Sequence, residues 1–295
     1  MMVNMCWAEA GYKRSWTKDR FFMDKLKRLK GILKSMGSVV VAFSGGVDSS
    51  FLLKVVRDTL LEQDILAVTA VSDTYTRSEF KRAKDFTNSL GLRHEIIFTK
   101  ELDNVNFTKN PTDRCYYCKK ELFGTLKELA RTKGFRSVVD ASNLDDKKDF
   151  RPGTKAKKEF YVRSPLQEAG MIKNDIRMFS KKLGLETWNL PSMACLASRI
   201  PYGERISRVT LKKIEKGEAF IRGLGVRQVR VRSHNNIARI EVEKKDIKRF
   251  SGKIFCDKII RHLKALGFDY IVLDLEGYRS GSLNEPLPLS VRGKK

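Results

Sequence analysis

A glycine-rich segment at residues 44–50, SGGVDSS, has the residue types and spacing that bind phosphate. Gly45 and Gly46 allow the backbone to turn sharply and to approach a ligand closely. The patterns on either side predict a strand before the segment and a helix after it, and the first amides of such a helix form an anion site. Asp48 is predicted to hold a Mg²⁺ ion that bridges phosphate oxygens. Three serines add hydroxyl donors: Ser44, Ser49 and Ser50.

Three of the five cysteines have a spacing or a setting that could carry chemistry: Cys115, Cys118 and Cys195. A thiolate is a good nucleophile near neutral pH when its pKa is lowered. Cys195 is followed by Ser198 and Arg199, and we predict that the Arg199 guanidinium stabilises a Cys195 thiolate. The odd number of cysteines argues against a disulfide framework.

The spacing of Cys115 and Cys118 places both thiols on one face if their segment is helical. Together with Cys195 they cannot complete a tetrahedral structural zinc site without a fourth ligand. Three cysteines can hold three irons of a cubane cluster and leave the fourth iron open. Two other interpretations of Cys115 and Cys118 stay open, a pair of buried structural thiols or a redox pair.

Strands and helices alternate around these residues. Strands are predicted at 39–43, 65–71, 93–98 and 137–142, and helices at 25–36, 48–60 and 115–131. A capping box from Thr76 to Glu79 predicts the start of a further helix, which ends near residue 90. This alternation predicts an α/β fold with a doubly wound parallel sheet. Ligands bind beyond the carboxyl ends of the strands in such sheets, and residues 44–50 occupy that position.

The pattern changes after residue 195. A helix at 210–225, a hairpin at 226–243, a helix at 257–268 and a strand at 269–275 predict a smaller α+β domain. We therefore divide the chain into a loose leader at 1–20, a nucleotide-binding domain at 21–195 and a substrate or oligomerisation domain at 196–295.

The composition favours a globular protein with an excess of positive charge. Lys and Arg total 59 against 35 acidic residues, for a net charge of +24. Such a charge attracts polyanions, but here it is spread singly along amphipathic helices, so a nucleic-acid partner is not expected. No run of about 18 apolar residues is present, so no membrane segment is predicted. The first residues lack the apolar core of a signal peptide, and a cytoplasmic location is expected.

The SGGVDSS segment lacks the lysine of the common P-loop and the Gly-x-Gly-x-x-Gly of the dinucleotide fingerprint. It resembles the pyrophosphatase loop of the N-type ATP pyrophosphatases. The stretches DRCYYCKKELF, ASNLDDKKDFRPG, MACLASRIPYGE, RVRSHNNIARIEV and DLEGYRSGSLNE extend the resemblance from about residue 21 to residue 285. Together they resemble the LarE family of ATP-dependent sulfur transferases.

This resemblance implies a reaction in nickel-pincer nucleotide biosynthesis. ATP and Mg²⁺ would adenylate a carboxylate of a pyridinium dicarboxylate mononucleotide, and sulfur would then displace AMP to leave a thiocarboxylate. In one branch of the family the cysteine at the position of Cys195 is sacrificed and becomes dehydroalanine. In a three-cysteine branch Cys115, Cys118 and Cys195 would instead hold a four-iron–four-sulfur cluster that carries an extra sulfide. The transferred sulfur would then come from an external donor, and Cys195 would be retained. The resemblance also implies a homo-oligomer.

The resemblance and the residue types together nominate three groups of site residues. The catalytic group is Cys195, Ser198 and Arg199. The ATP-binding group is Ser44, Gly45, Gly46, Asp48, Ser49, Ser50, Val71, Ser142 and Asn143. The substrate or phosphate group is Asp146, Arg151, Glu218, Arg230 and Arg232. For the arginine pair a solvated surface strand is an equally open interpretation, and for Asn143 a capping role competes.

Three alternative functions compete with the cluster-dependent reaction. The first is the same reaction with Cys195 as a sacrificial sulfur donor. The second is a tRNA thiolase, which shares the loop, the cysteines and the positive charge. The third is a nucleotide-binding regulator without catalysis, against which the presence of Asp48, Cys195 and Arg199 argues.

Overall fold

The computed structural model describes residues 23–191 and 194–288, apart from the side chain of residue 148. The leader predicted at 1–20 lies outside the described residues. In the part of the chain that is described, no helix is long and apolar enough to cross a membrane.

A four-stranded parallel sheet forms the centre of the larger unit. Its strands are β1 (Val39–Ala42), β2 (Ile65–Val71), β3 (His94–Phe98) and β4 (Ser137–Val139), in the order β3-β2-β1-β4. β1 pairs with β2 and with the edge strand β4, so that Val39 lies opposite Ile65 on one side and Ser137 on the other. The apolar runs of β1 and β2 are buried because helices cover both faces of the sheet. The predicted α/β fold with a doubly wound sheet is confirmed.

The helices that flank this sheet fall on two sides. They are α1 (23–36), α2 (Val47–Arg57), α3 (Arg77–Ser89), α4 (Val105–Thr108), α5 (Arg114–Thr132), α6 (Gly153–Glu159), α7 (Pro165–Glu168) and α8 (Lys173–Lys182). Val39 and Val41 pack with apolar residues of α1, α2 and α8. Val40 faces the other way and packs with α5 and α6. The period-two alternation of β1 thus builds two separate cores.

The predicted elements agree with the observed ones apart from their ends. The capping box of α3 is present, because Thr76 Oγ1 accepts the Glu79 amide at 3.2 Å and Glu79 Oε2 accepts the Thr76 amide at 2.9 Å. Helix α2 ends at Arg57 rather than at residue 60. Asp58 caps α2, with its amide bonded to the Lys54 carbonyl at 3.0 Å, and the chain turns there towards β2.

A smaller unit follows, with α9 (Arg208–Gly223), β5 (Val229–His234), β6 (Ile237–Val242), α10 (Lys244–Ile247), α11 (Lys253–Ala265) and β7 (Tyr270–Leu273). The predicted hairpin is present as the antiparallel pair β5–β6, with Asn235 at φ 50° in its turn. β7 joins β6 in parallel. One face of this sheet packs on apolar residues of α9 and α11. The division at residue 195 stays a prediction.

Candidate active site

The glycine-rich loop lies at the carboxyl end of β1 and opens into α2. Gly45 has φ +69°, and a Cβ atom there would lie 3.2 Å from the backbone nitrogen of Ala83. Only a glycine satisfies both demands without strain. Ser49 Oγ lies 3.1 Å from Ser44 Oγ and accepts the Gly46 amide at 3.1 Å. The predicted strand, turn and helix are therefore present, with the amides at the start of α2 available for an anion.

Asp48 lies in the first turn of α2 with its two carboxylate oxygens in different environments. Oδ2 accepts a hydrogen bond from Lys173 Nζ at 2.6 Å, while Oδ1 is buried without a hydrogen-bond partner among the described residues. Asp146, whose Oδ1 lies 2.7 Å from Arg151 Nη2, is near enough to interact with Asp48. Burial raises the pKa of Asp146, and the Asp48 carboxylate adds to that rise. Two carboxylates and an unpaired buried oxygen fit a Mg²⁺ ion that takes its other ligands from phosphate and water.

Lys173 is a residue of this site that the sequence analysis did not nominate. It begins α8, where its amide is bonded to Asp145 Oδ2 at 2.9 Å, and its ammonium meets Asp48, which is 125 positions earlier in the chain. No local pattern marks this lysine among the 59 basic residues, because its role depends on how α8 packs against α2. Its charge adds to the attraction of the loop for phosphate.

The other predicted ATP-binding residues lie at the same edge of the sheet. Val71 is the last residue of β2, and Ser142 and Asn143 follow β4. Asn143 is buried, and its Oδ1 accepts the Asp145 amide at 2.9 Å. Ser142 Oγ donates to Asp140 Oδ2 at 2.6 Å. The side chain of Asn143 thus has the capping role that competed with nucleotide binding.

Cys195 is exposed and opens a short 3₁₀ turn, Leu196–Arg199. The Leu196 amide donates to the Thr74 carbonyl at 3.1 Å, just beyond the end of β2. Arg199 Nη1 donates to the Cys195 carbonyl at 3.0 Å and to Ser198 Oγ at 3.1 Å. The predicted catalytic group therefore lies together, and Arg199 binds the backbone of the cysteine turn.

Arg199 forms a buried ion pair with a carboxylate. Its Nε and Nη2 atoms donate to the two oxygens of Glu218 at 2.8 and 3.1 Å, and both side chains are buried. The surrounding protein desolvates the Cys195 thiol and so raises its pKa. The positive charges of Arg114 and, more weakly, Arg199 oppose that rise. Arg114 was not nominated from the sequence. The stabilisation of a Cys195 thiolate by Arg199 stays a prediction.

Cys115 and Cys118 lie in the first turns of α5, so the predicted helix carries both. Cys115 is exposed, while Cys118 is partly buried and packs against a cluster that includes Leu196. Burial raises the pKa of Cys118 well above its ordinary value, and the neighbouring Cys195 and Cys115 thiols contribute to the rise. The three thiols therefore lie within electrostatic range of one another.

Convergence of the thiols does not by itself make a metal site. Within residues 23–191 and 194–288, no three metal-ligating side chains are grouped as they would be around an ion. The two carboxylates near the phosphate loop fit Mg²⁺, which needs few protein ligands. The three thiols supply the right donors for an iron–sulfur cluster, without a preformed ligand set.

The hairpin arginines lie on one face of their strand, as their alternation predicts, and both are buried. Arg232 donates from Nη1 to the Ser198 carbonyl at 2.8 Å and also pairs with buried Glu241. Arg230 lies over the ring of Tyr278 at 5.3 Å, and burial lowers its pKa to about 10. A solvated surface strand is therefore excluded for both arginines.

A cavity of about 240 Å³ lies beside this basic face. Its wall includes Arg199, Arg232 and Arg239, together with His234 and Tyr202. The cavity thus adjoins the 3₁₀ turn that follows Cys195, and its arginines favour an anionic ligand.

Comparison with known proteins supports the class indicated by the fold. A family model described as NAD synthase matches residues 23–124, the segment that holds the phosphate loop. The parallel sheet and the loop at the end of β1 define the chain as a member of the N-type ATP pyrophosphatase, or PP-loop, class.

Three relatives extend over most of the chain. The pyridinium-3,5-bisthiocarboxylic acid mononucleotide synthase of Lactiplantibacillus plantarum is 38% identical over 263 residues, 89% of this chain and 95% of that protein. Uncharacterized proteins of Synechocystis and Methanocaldococcus jannaschii are 42% and 33% identical, over 89% and 88% of this chain and 98% and 99% of theirs. The chain belongs to the LarE family of PP-loop proteins.

Proposed function

We propose that the protein is an ATP-dependent sulfur transferase that converts a carboxylate of a pyridinium dicarboxylate mononucleotide into a thiocarboxylate. One observation carries this proposal: residues 74 and 75 join the phosphate loop to the cysteine turn. Tyr75 OH donates to the Ser44 carbonyl at 2.8 Å, and the Thr74 carbonyl accepts the Leu196 amide at 3.1 Å. An acyl adenylate formed at the loop would therefore lie near Cys195. The name of the L. plantarum relative gives its product, a pyridinium bisthiocarboxylic acid mononucleotide, and this supports the choice of mononucleotide.

The first step in this proposal is the activation of the carboxylate. The amides at the start of α2 bind ATP phosphates, and Lys173 adds a positive charge there. Mg²⁺ on Asp48, with Asp146 nearby, would offset charge on the phosphate oxygens. A substrate carboxylate oxygen attacks the α-phosphorus, the bond to the β-phosphate oxygen breaks, and pyrophosphate leaves. The product is an acyl adenylate, whose AMP is a good leaving group.

The second step exchanges AMP for sulfur. We favour a four-iron–four-sulfur cluster on Cys115, Cys118 and Cys195, which would supply a sulfide received from an external donor. In the alternative, the Cys195 thiolate attacks the acyl carbon and AMP leaves. Loss of the Cys195 α-proton then breaks its Cβ–S bond, which leaves the thiocarboxylate on the substrate and dehydroalanine in the chain. The convergence of the three thiols favours the first route.

In this proposal the buried arginines bind the phosphate of the substrate. Arg232 lines the cavity of about 240 Å³, and Arg230 lies on the same face of β5, within electrostatic range of Glu218. The phosphate of the mononucleotide would lie against this face, and the carboxylates of its pyridinium ring would point towards Cys195.

We also propose that the protein forms a homo-oligomer, which light scattering can test.

Pyrophosphate release tests the function. We expect release with the pyridinium dicarboxylate mononucleotide and none with bulk tRNA. Release with tRNA alone would establish a thiolase instead, and ATP binding without release in either case would favour a regulator. Bulk tRNA also tests whether the charge of +24 has a nucleic-acid partner.

The sulfur source is tested on protein purified without oxygen. The cluster route predicts bound iron and sulfide, many turnovers with an added sulfide donor, and an unchanged mass for the peptide that contains Cys195. A single turnover, after which that peptide has lost the mass of hydrogen sulfide, would show the sacrificial route. Many turnovers by metal-free protein would rule out the cluster.

A further inference from the structure

Asn110 is a fully buried asparagine in the left-handed region of backbone conformation, with φ 55°. It lies just before α5 and far in sequence from the Cys195 turn. We propose that Asn110 is a positioning residue that fixes the helix carrying Cys115 and Cys118 against the turn after Cys195, and that holds Arg114 beside the thiols. The proposal rests on the proposed function only in giving these three thiols a shared role.

The first contact joins Asn110 to residues 200–204. Asn110 Nδ2 donates to the Pro201 carbonyl at 2.7 Å and to the Glu204 carbonyl at 3.0 Å, with the Ile200 carbonyl at 3.3 Å. The Asn110 carbonyl accepts the Gly203 amide at 3.0 Å. One residue therefore supplies both a donor and an acceptor to the turn. That turn follows directly on the 3₁₀ segment that Cys195 opens.

The second contact joins Asn110 to the start of α5. Asn110 Oδ1 accepts a hydrogen bond from Arg114 Nη1 at 2.8 Å, and Arg114 is the residue immediately before Cys115. The Arg114 guanidinium also lies over the ring of Tyr202, which belongs to the 200–204 turn, at 4.8 Å. The side chains of Asn110 and Arg114 thus form two links across the same junction.

Arg114 differs in its partners from Arg199 and Arg232, two other buried arginines of the site. Arg199 and Arg232 each pair with a carboxylate, whereas no carboxylate in residues 23–191 or 194–288 forms an ion pair with Arg114. Asn110 and Tyr202 are neutral partners, and burial raises the pKa of Tyr202 so that its phenol stays protonated.

A buried guanidinium without a carboxylate partner is costly, and it favours an anion nearby. The thiol side chains of Cys115 and Cys195 lie within electrostatic range of this site. The contacts of Asn110 therefore fix the distance between the two cysteine-bearing segments and also direct a positive charge to that region.

The test is the Asn110→Gly variant, because glycine adopts a positive φ without strain and removes only the side chain. The matched control is Asn235→Gly, which makes the same change at φ 50° in the exposed turn of the β5–β6 hairpin. Each full-length protein is oxidised with diamide at low protein concentration, and its disulfides are mapped by mass spectrometry. The readout is the ratio of bonds between Cys195 and the α5 cysteines to Cys115–Cys118 bonds.

The intrahelical bond is an internal standard, because both of its cysteines lie on α5. We expect the ratio to fall about tenfold in Asn110→Gly, since the two segments lose the effective concentration that a fixed geometry provides. The ratio should not change in Asn235→Gly. The assay needs no ATP or substrate, so failure of the proposed sulfur transfer would leave it intact.

A second variant keeps the test decisive if Asn110→Gly fails to fold. Asn110→Asp retains an acceptor for Arg114 and a side chain suited to positive φ, but it cannot donate to the Pro201 and Glu204 carbonyls. We expect a fall in the ratio here too. An unchanged ratio in either folded variant would overturn the proposal.

Discussion

The two carboxylate oxygens of Asp48 in the phosphate loop differ in their partners. It pairs with Lys173 through Oδ2 and leaves Oδ1 buried without a hydrogen-bond partner among the described residues. Such an arrangement is costly for stability and is consistent with a ligand that completes it. At the scale of the residue, the unpartnered oxygen of Asp48 supports the proposed Mg²⁺ site at the loop.

The substitution Asp48→Asn removes the charge and keeps the shape. We expect pyrophosphate release to fall by about 100-fold or more, because the proposed Mg²⁺ ion that bridges the phosphates would lose its anionic protein ligand. Asp58→Asn is the matched control, since Asp58 caps the far end of α2 and pairs with Lys54 at 2.6 Å on the surface. Equal activity of Asp48→Asn and Asp58→Asn, measured at saturating Mg²⁺, would contradict a role for Asp48 in metal binding.

At the scale of the element, the loop between β1 and α2 depends on how closely α3 approaches it. Gly45 faces the backbone of Ala83 in α3, and this contact sets the height of the loop above the sheet. Tyr75 OH also contacts the loop, by donating to the Ser44 carbonyl at 2.8 Å. The loop is thus positioned by two segments that follow β2.

The variants Gly45→Ala and Gly91→Ala separate backbone strain from close contact. Both glycines have a positive φ, +69° and +63°, but a Cβ at Gly91 would meet nothing within 4 Å. Each change should lower the free energy of unfolding by about 1–2 kcal/mol through strain. Gly45→Ala should lose more, and it should also weaken ATP binding, because the loop must move away from Ala83. Urea unfolding and ATP titration measure the two effects, and equal losses in both variants would contradict the contact.

At the scale of the whole molecule, a buried ionic network joins the cysteine turn to the smaller unit. Glu218 of α9 accepts both Arg199 and the Val231 amide, the latter at 3.2 Å. Arg232 of β5 reaches back to the Ser198 carbonyl. The position of Cys195 therefore depends on α9 and β5 as well as on the segment after β2.

The substitution Glu218→Gln tests this dependence. It leaves the Arg199 guanidinium buried beside a neutral partner, and we expect a loss of about 3–5 kcal/mol in the free energy of unfolding. The control is Asp73→Asn, which breaks the ion pair with exposed Arg208 and should have a much smaller effect. Urea unfolding compares the two, and a loss in Glu218→Gln no larger than that in the control would argue against the network as a structural link.

Local patterns were enough to predict much of this architecture. The apolar run of β1, the capping box of α3 and the turn of the β5–β6 hairpin are each contained in fewer than about 20 residues, where periodicity and turn chemistry act directly. The ends of α2 and β4 differ from prediction by three residues each, because capping and packing decide where an element stops.

The sequence by itself was enough to predict the phosphate loop, the parallel sheet and which three cysteines could carry chemistry, because residue type and spacing indicate these features locally. Only the tertiary structure decided that Lys173 meets Asp48, that Glu218 holds Arg199 and that Asn110 joins α5 to the turn after Cys195. These partners lie 125, 19 and about 90 positions apart. The packing of whole elements brings these partners together, so no local sequence pattern predicts the contacts.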